Sequence, residues 1–171
     1  MATMHNIRII ARLDVKGSAL VKGRRLEGLR PLGNPADYLA EYTKDLVDEC
    51  CILNVVASLY RQNHNLNLLK TCVSGNFIPL SAGGGVRNCD DIRNIMLNGA
   101  DRVSINTHAL INPDFINRAV DTFGSSCIQL LIEARRNKNG VWTTYFNSGR
   151  ETTEVSVEEW IEEAQIRKVG E

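Results

Sequence analysis

The feature that most constrains this chain is an alternation. Short apolar runs rich in valine, isoleucine and leucine recur along it, and each is followed by a stretch with helical periodicity. The apolar runs span residues 6–15, 50–58, 77–83, 101–106 and 127–134. Helical patterns span 34–46, 65–73, 89–99, 112–124 and 156–170. Repeated β-α units place successive strands parallel, with the helices covering the sheet. The run CCILNVVAS is nearly all apolar, as a strand covered on both faces should be. Local signals support the helices. Asn34 with Pro35, and Asn112 with Pro113, read as N-cap and first-turn pairs. Leu39, Tyr42 and Leu46 fall on one helical face. Asp90 and Asp91 sit in a first turn, and Ser156 with Glu159 forms a capping box. After the fifth strand, RRNKNGVWTTYFN turns at Asn139-Gly140 and reads as a small β-ribbon.

Two architectures fit this pattern, a doubly wound sheet and a (β/α) barrel, and a barrel needs eight strands. The 171 residues suffice for one domain with a core, and no low-complexity linker divides them. Residues 1–171 are therefore read as a single domain. Twenty basic and twenty acidic residues cancel, which gives no electrostatic case for nucleic acid or a membrane surface. No run approaches a membrane span and the N-terminus lacks the apolar core of a secretory signal, so a cytoplasmic location is expected. The five cysteines show no C-x-x-C spacing and the three histidines are scattered, so a metal site is not expected. The glycines follow the third strand and lack G-x-G-x-x-G spacing, which argues against nicotinamide. No cofactor is expected.

In parallel α/β folds the site lies at the C-terminal ends of the strands. Asp14, Asn54, the run Gly83-Gly84-Gly85, Asn106 with Thr107, and Glu133 are expected there. Consecutive glycines followed by a helix can aim N–H groups at an anion. A phosphate loop and a plain tight turn both fit. Asp14 and Glu133 are two carboxylates at strand ends, suited to general acid and base roles; Asp14 can equally pair with Arg12 or Lys16. The segment KGSALVKGRRLEGLRPLGNP carries Lys16, Lys22, Arg24, Arg25 and Arg30. It reads either as a solvated loop or as a lid over an anionic substrate.

Five stretches together carry a resemblance: RIIARLDVKGSALVKG, VASLY, FIPLSAGGGVRNCDDIRNIMLNGADRVSINTHALINPDFI, FGSSCIQLLIEARR and VEEWIEEA. They resemble HisF, the cyclase subunit of imidazole glycerol phosphate synthase. The resemblance runs in order over essentially the whole chain. It implies a (β/α)8 or TIM barrel, of which about the first five β/α units are present, with the chain stopping where a sixth strand should begin. It also implies a glutaminase (HisH-like) partner that supplies ammonia. The substrate would be a bis-phosphorylated phosphoribulosyl-formimino aminoimidazole carboxamide ribonucleotide, cleaved and cyclised in histidine biosynthesis. By the same resemblance Asp14 and Glu133 take the catalytic positions. Lys22, Gly84, Gly85, Asn106 and Thr107 take substrate- and phosphate-binding positions. Arg8, Glu49, Arg102 and Glu171 form a ring of charges where ammonia enters.

Three residues depart from the family pattern: Arg12 stands for a cysteine, Glu133 for an aspartate, and Asn54 for an aspartate. These departures resemble HisF-like paralogues that amidate surface-polysaccharide sugars. A third reading is a non-catalytic half-barrel that binds phosphate or a partner. Strands 1 and 5 are expected to leave open edges, through which the chain would self-associate.

Overall fold

The computed structural model describes residues 7–24 and 27–171. Strand β1 (Ile10–Lys16) runs into a hairpin, β2 (Ala19–Arg24) and β3 (Glu27–Gly33). Then follow α1 (Pro35–Lys44), β4 (Glu49–Asn54), α2 (Leu66–Val73), β5 (Leu80–Gly83), α3 (Cys89–Leu97) and β6 (Arg102–Ile105). Two helices, α4 (Thr107–Ile111) and α5 (Asp114–Phe123), lead to β7 (Ile128–Leu130). A three-stranded ribbon, β8 (Glu133–Arg136), β9 (Trp142–Phe146) and β10 (Glu151–Ser156), precedes α6 (Val157–Ile166).

The main sheet has the order β3-β2-β1-β4-β5-β6-β7. Its five consecutive members from β1 to β7 are parallel, and only the β2–β3 hairpin is antiparallel. This is a partial (β/α) barrel, one of the two architectures that the alternation allows.

Register explains why the two faces of the sheet differ. Side chains alternate across a strand. Leu13, Val15, Cys50, Ile52, Leu80, Ala82, Val103, Ile105 and Ile128 share one face. They form a single core with Leu39, Leu69, Ile92, Ile95, Phe115, Ile116 and Trp160 from the helices. The intervening positions face away from the helices and, apart from Leu53 and Cys51, are polar: Arg12, Asp14, Ser81, Arg102, Ser104 and Gln129. A barrel interior is ordinarily filled by branched apolar residues. Here Ser81, Ser104 and Gln129 are buried on that face, and Ser104 Oγ donates to Gln129 Oε1 at 2.7 Å.

Several expectations are corrected. The basic segment after β1 is not an irregular loop, because β2 and β3 pair, with register shifts at Leu20/Val21 and Lys22/Arg24. Arg25 lies outside the described residues. The fifth strand divides: β7 ends at Leu130 and Glu133 opens the ribbon. Asn112 does not cap α5. It closes α4, donating its N–H to the His108 carbonyl at 2.9 Å. Helix α1 stops at Lys44, which leaves Leu46 at φ +60° and 85% exposed rather than on the apolar face. The expected open edges are partly covered. β2 pairs with the end of β1, and Gly170 and Glu171 bond to Ile128 and Leu130 alongside β7. Asn34, Asn65 and Asn88 cap α1, α2 and α3, and the Ser156–Glu159 capping box is present. Among the described residues no helix is long and apolar enough to cross a membrane.

Candidate active site

The C-terminal ends of the parallel strands enclose a cavity of about 450 Å³. Arg12, Asn54, Ser58, Gly84, Gly85, Ser104, Asn106, Thr107 and Glu133 line it. Most of the residues expected at the strand ends are thus brought together. Asp14 reaches it through Arg12, whose Nε donates to Asp14 Oδ1 at 2.7 Å. Lys22 does not line it. That residue is exposed in the middle of β2, opposite Arg30.

The glycines owe their presence to close approach. Gly84 (φ +96°) and Gly85 (φ +76°) adopt backbone that side chains avoid, and a Cβ would lie 2.2 Å from the Asn54 carbonyl oxygen or 2.3 Å from that of Gln62. A Cβ on Gly83 would meet the Ser104 carbonyl oxygen at 2.4 Å. The turn is therefore tight in its own right, and it still forms one wall of the cavity. His64 fixes it from behind. Its ring is buried, and Nδ1–H donates to the Gly83 carbonyl at 2.8 Å, which leaves Nε2 without a partner among the described residues. Burial pushes the His64 pKa down, partly offset by that hydrogen bond.

The opposite wall comes from β6, α4 and the ribbon. Asn106 and Thr107 occupy the junction between β6 and α4, not strand positions. Thr107 Oγ1 accepts from Asn147 N at 3.3 Å, so its own proton is free to donate into the cavity. Asn106 Oδ1 is buried without a partner among the described residues. The turn between β9 and β10 braces this wall: Ser148 Oγ donates to the Val55 carbonyl at 2.6 Å, and Gly149 N donates to Glu133 Oε2 at 2.6 Å. Burial pushes the Glu133 pKa up. The Gly149 N–H, Arg12, Asn106 and Arg135 each pull it back toward the usual carboxylate range. A carboxyl so placed is suited to carry a proton.

The sequence reading missed Arg61, Arg87 and His108, which also line the cavity. His108 stacks edge-on against Phe115 with ring centroids 5.0 Å apart. Burial, with Arg118 and Arg87 nearby, pushes its pKa down. Its position one residue after Thr107 was the signal available. Among the described residues no group of three or more His, Cys, Asp or Glu side chains could hold a metal ion.

A second constellation lies at the opposite ends of the strands. Glu49 is 1% exposed. Its Oε2 is 2.5 Å from Arg102 Nη1 and 3.7 Å from Arg8 Nε. Arg102 Nη1 also lies 3.2 Å from Glu171 Oε2, and Arg8 Nη2 bonds to Glu171 Oε1. The four side chains close an alternating ring. The segments that lead into the strands at this end carry exposed apolar side chains: Ile9 before β1, Leu46 before β4, Phe77 (95% exposed) before β5 and Leu97 before β6.

The profile of the histidine biosynthesis protein family matches residues 8–171. The chain belongs to the histidine biosynthesis protein family. One family member, the imidazole glycerol phosphate synthase subunit HisF of Legionella pneumophila, is 44% identical over 168 residues, covering 98% of this chain and 79% of the relative. The HisF subunits of Dictyoglomus turgidum and Staphylococcus carnosus are each 35% identical, covering 96% of this chain and 65% of each relative. The chain therefore spans about two thirds to four fifths of the length of these family members.

Proposed function

We propose that the chain is a HisF-type cyclase subunit of imidazole glycerol phosphate synthase. The supporting observation is the pairing of two distinct ends on one sheet. One is a cavity lined by Gly84, Gly85, Asn106, Thr107 and Glu133; the other is a closed ring of Arg8, Glu49, Arg102 and Glu171.

In this reading one phosphate of the bis-phosphorylated ribonucleotide sits against Gly84, Gly85, Asn106 and Thr107. The Thr107 hydroxyl donates to it, and Lys22 approaches from the β2–β3 hairpin. Glu133, favoured toward its protonated form by burial, acts as acid, and Asp14 acts as base. Ammonia enters through the charge ring and crosses the polar face past Cys51, Ser81 and Ser104. Attack of ammonia on the formimino carbon releases the aminoimidazole carboxamide ribotide, and ring closure onto the ribulosyl ketone expels water to give imidazole glycerol phosphate. The exposed apolar side chains at that end suit a glutaminase (HisH-like) partner that delivers ammonia directly.

The test is conversion of the phosphoribulosyl-formimino substrate with ammonium salt, followed by chromatography. Both products are expected in equal amounts; an unconverted substrate with normally folded protein would contradict the assignment.

One observation favours a second substrate for the same site. Arg12 projects its guanidinium into the cavity, and Asn54 lines it without a charge. Both alter the charge that a substrate meets, as in synthase subunits that amidate surface-polysaccharide nucleotide sugars. Conversion of an amidated sugar precursor, with the ribonucleotide inert, would select that reading.

A further inference from the structure

Arg12 is a cavity residue to which the reading above gives no step. It lies on the polar face of β1, two residues before Asp14 and level with Cys51 of β4. Side chains two apart on a strand point the same way, which is why the Arg12 Nε reaches Asp14 Oδ1 at 2.7 Å. The same guanidinium lines the cavity with Glu133. Glu133 lines the cavity, and Asp14 is tied to it through Arg12. The guanidinium fork holds one carboxylate by a directed bond while its remaining donors stay available.

We propose that Arg12 is a positioning residue of this site: it orients the Asp14 carboxylate and serves as the shared counter-charge for Asp14 and Glu133. Its catalytic consequence rests on the cyclase reading; the sharing of charge does not. The groups facing Glu133 are the Gly149 N–H of the ribbon turn, Asn106 ahead of α4, Arg12 of β1 and Arg135 of its own strand. The Cys51 thiol of β4 feels Arg12 and Asp14 together. Arg12 is then the only one of these that links the two carboxylates. A merely structural ion pair at this half-exposed place would contribute little.

The test uses Arg12→Met and Arg12→Lys in the whole chain, with carboxyl titration of Glu133 by NMR and steady-state kinetics on the bis-phosphorylated substrate with ammonium. Arg12→Met should keep the melting temperature nearly unchanged and move the Glu133 midpoint to higher pH. It should lower kcat about 10-fold or more with KM within about threefold, since misplacing a reacting group acts on the chemical step. Arg12→Lys should restore the Glu133 midpoint and only part of kcat, because a point charge lacks the directed fork. An unmoved Glu133 midpoint in Arg12→Met, or an unchanged kcat in an active protein, overturns the proposal. An inactive wild type whose Glu133 midpoint still responds overturns the cyclase reading and upholds the shared charge.

Discussion

The two ends of the parallel strands are built by different physics. At the C-terminal ends, backbone meets backbone. Gly84 and Gly85 press on the carbonyls of Asn54 and Gln62, the ribbon turn ties itself to Val55 and Glu133, and polar side chains are left lining a cavity. At the N-terminal ends the side chains pair with one another: Glu49 Oε2 is held by two arginines, while its Oε1 is buried without a partner among the described residues. The first arrangement leaves groups free for a ligand. The second pairs its charges in a ring, and the segments that lead into the strands at that end carry exposed apolar side chains. An end that does chemistry must keep donors and acceptors unspent, whereas an end that docks a partner and passes a small neutral molecule is best served by charges already matched.

Perturbing each end separately should keep the comparison sharp. The largest effect is expected from Gly84→Ala, which adds a Cβ 2.2 Å from a backbone oxygen at φ +96°. It should cost about 3 kcal/mol or more in a denaturant melt, combining overpacking with strained backbone. Next, Glu133→Gln and Asp14→Asn should each lower ammonium-driven turnover about 100-fold while leaving the melt nearly unchanged, as expected for lost proton transfer. At the other end, Arg102→Met leaves the buried Glu49 with Arg8 alone. A cost of roughly 2 kcal/mol is expected, below that of a fully buried pair because both arginines are partly exposed, with phosphate binding at the cavity intact.

The smallest effect is a pH slope. The folded pKa of Glu133 is raised, so the native state holds its proton more tightly than the unfolded chain. Stability should then fall as pH rises from the ordinary carboxylate range through the raised value. Glu133→Gln should flatten that part of a plot of denaturant midpoint against pH.

What could be read from the residues follows how local its cause is. Helix caps at Asn34 and Ser156 depend on neighbours within four residues and stand as expected, whereas the cap expected at Asn112 does not form. The alternation of strands and helices is likewise local. The β2–β3 hairpin was hidden because its pairing slips register twice, which erases the period-two pattern. Helix α4 was hidden because its five residues are too few to show a helical period. Its presence moves Asn106 and Thr107 off the strand and onto a helix start without moving them out of the site. The four ring residues are separated by up to 163 positions, and only the family resemblance grouped them. The roles of Arg12 and His64 are tertiary: one depends on the shared face of β1, the other on the carbonyl of Gly83.

The central claim is that the two ends are separable, with chemistry at one and nitrogen supply at the other. The direct measurement is turnover of the bis-phosphorylated substrate by wild type and Arg102→Met, each driven first by ammonium salt and then by glutamine with a glutaminase partner. The account predicts that Arg102→Met keeps ammonium-driven turnover near the wild-type rate and loses most of the glutamine-driven rate. Equal losses from both nitrogen sources would contradict it.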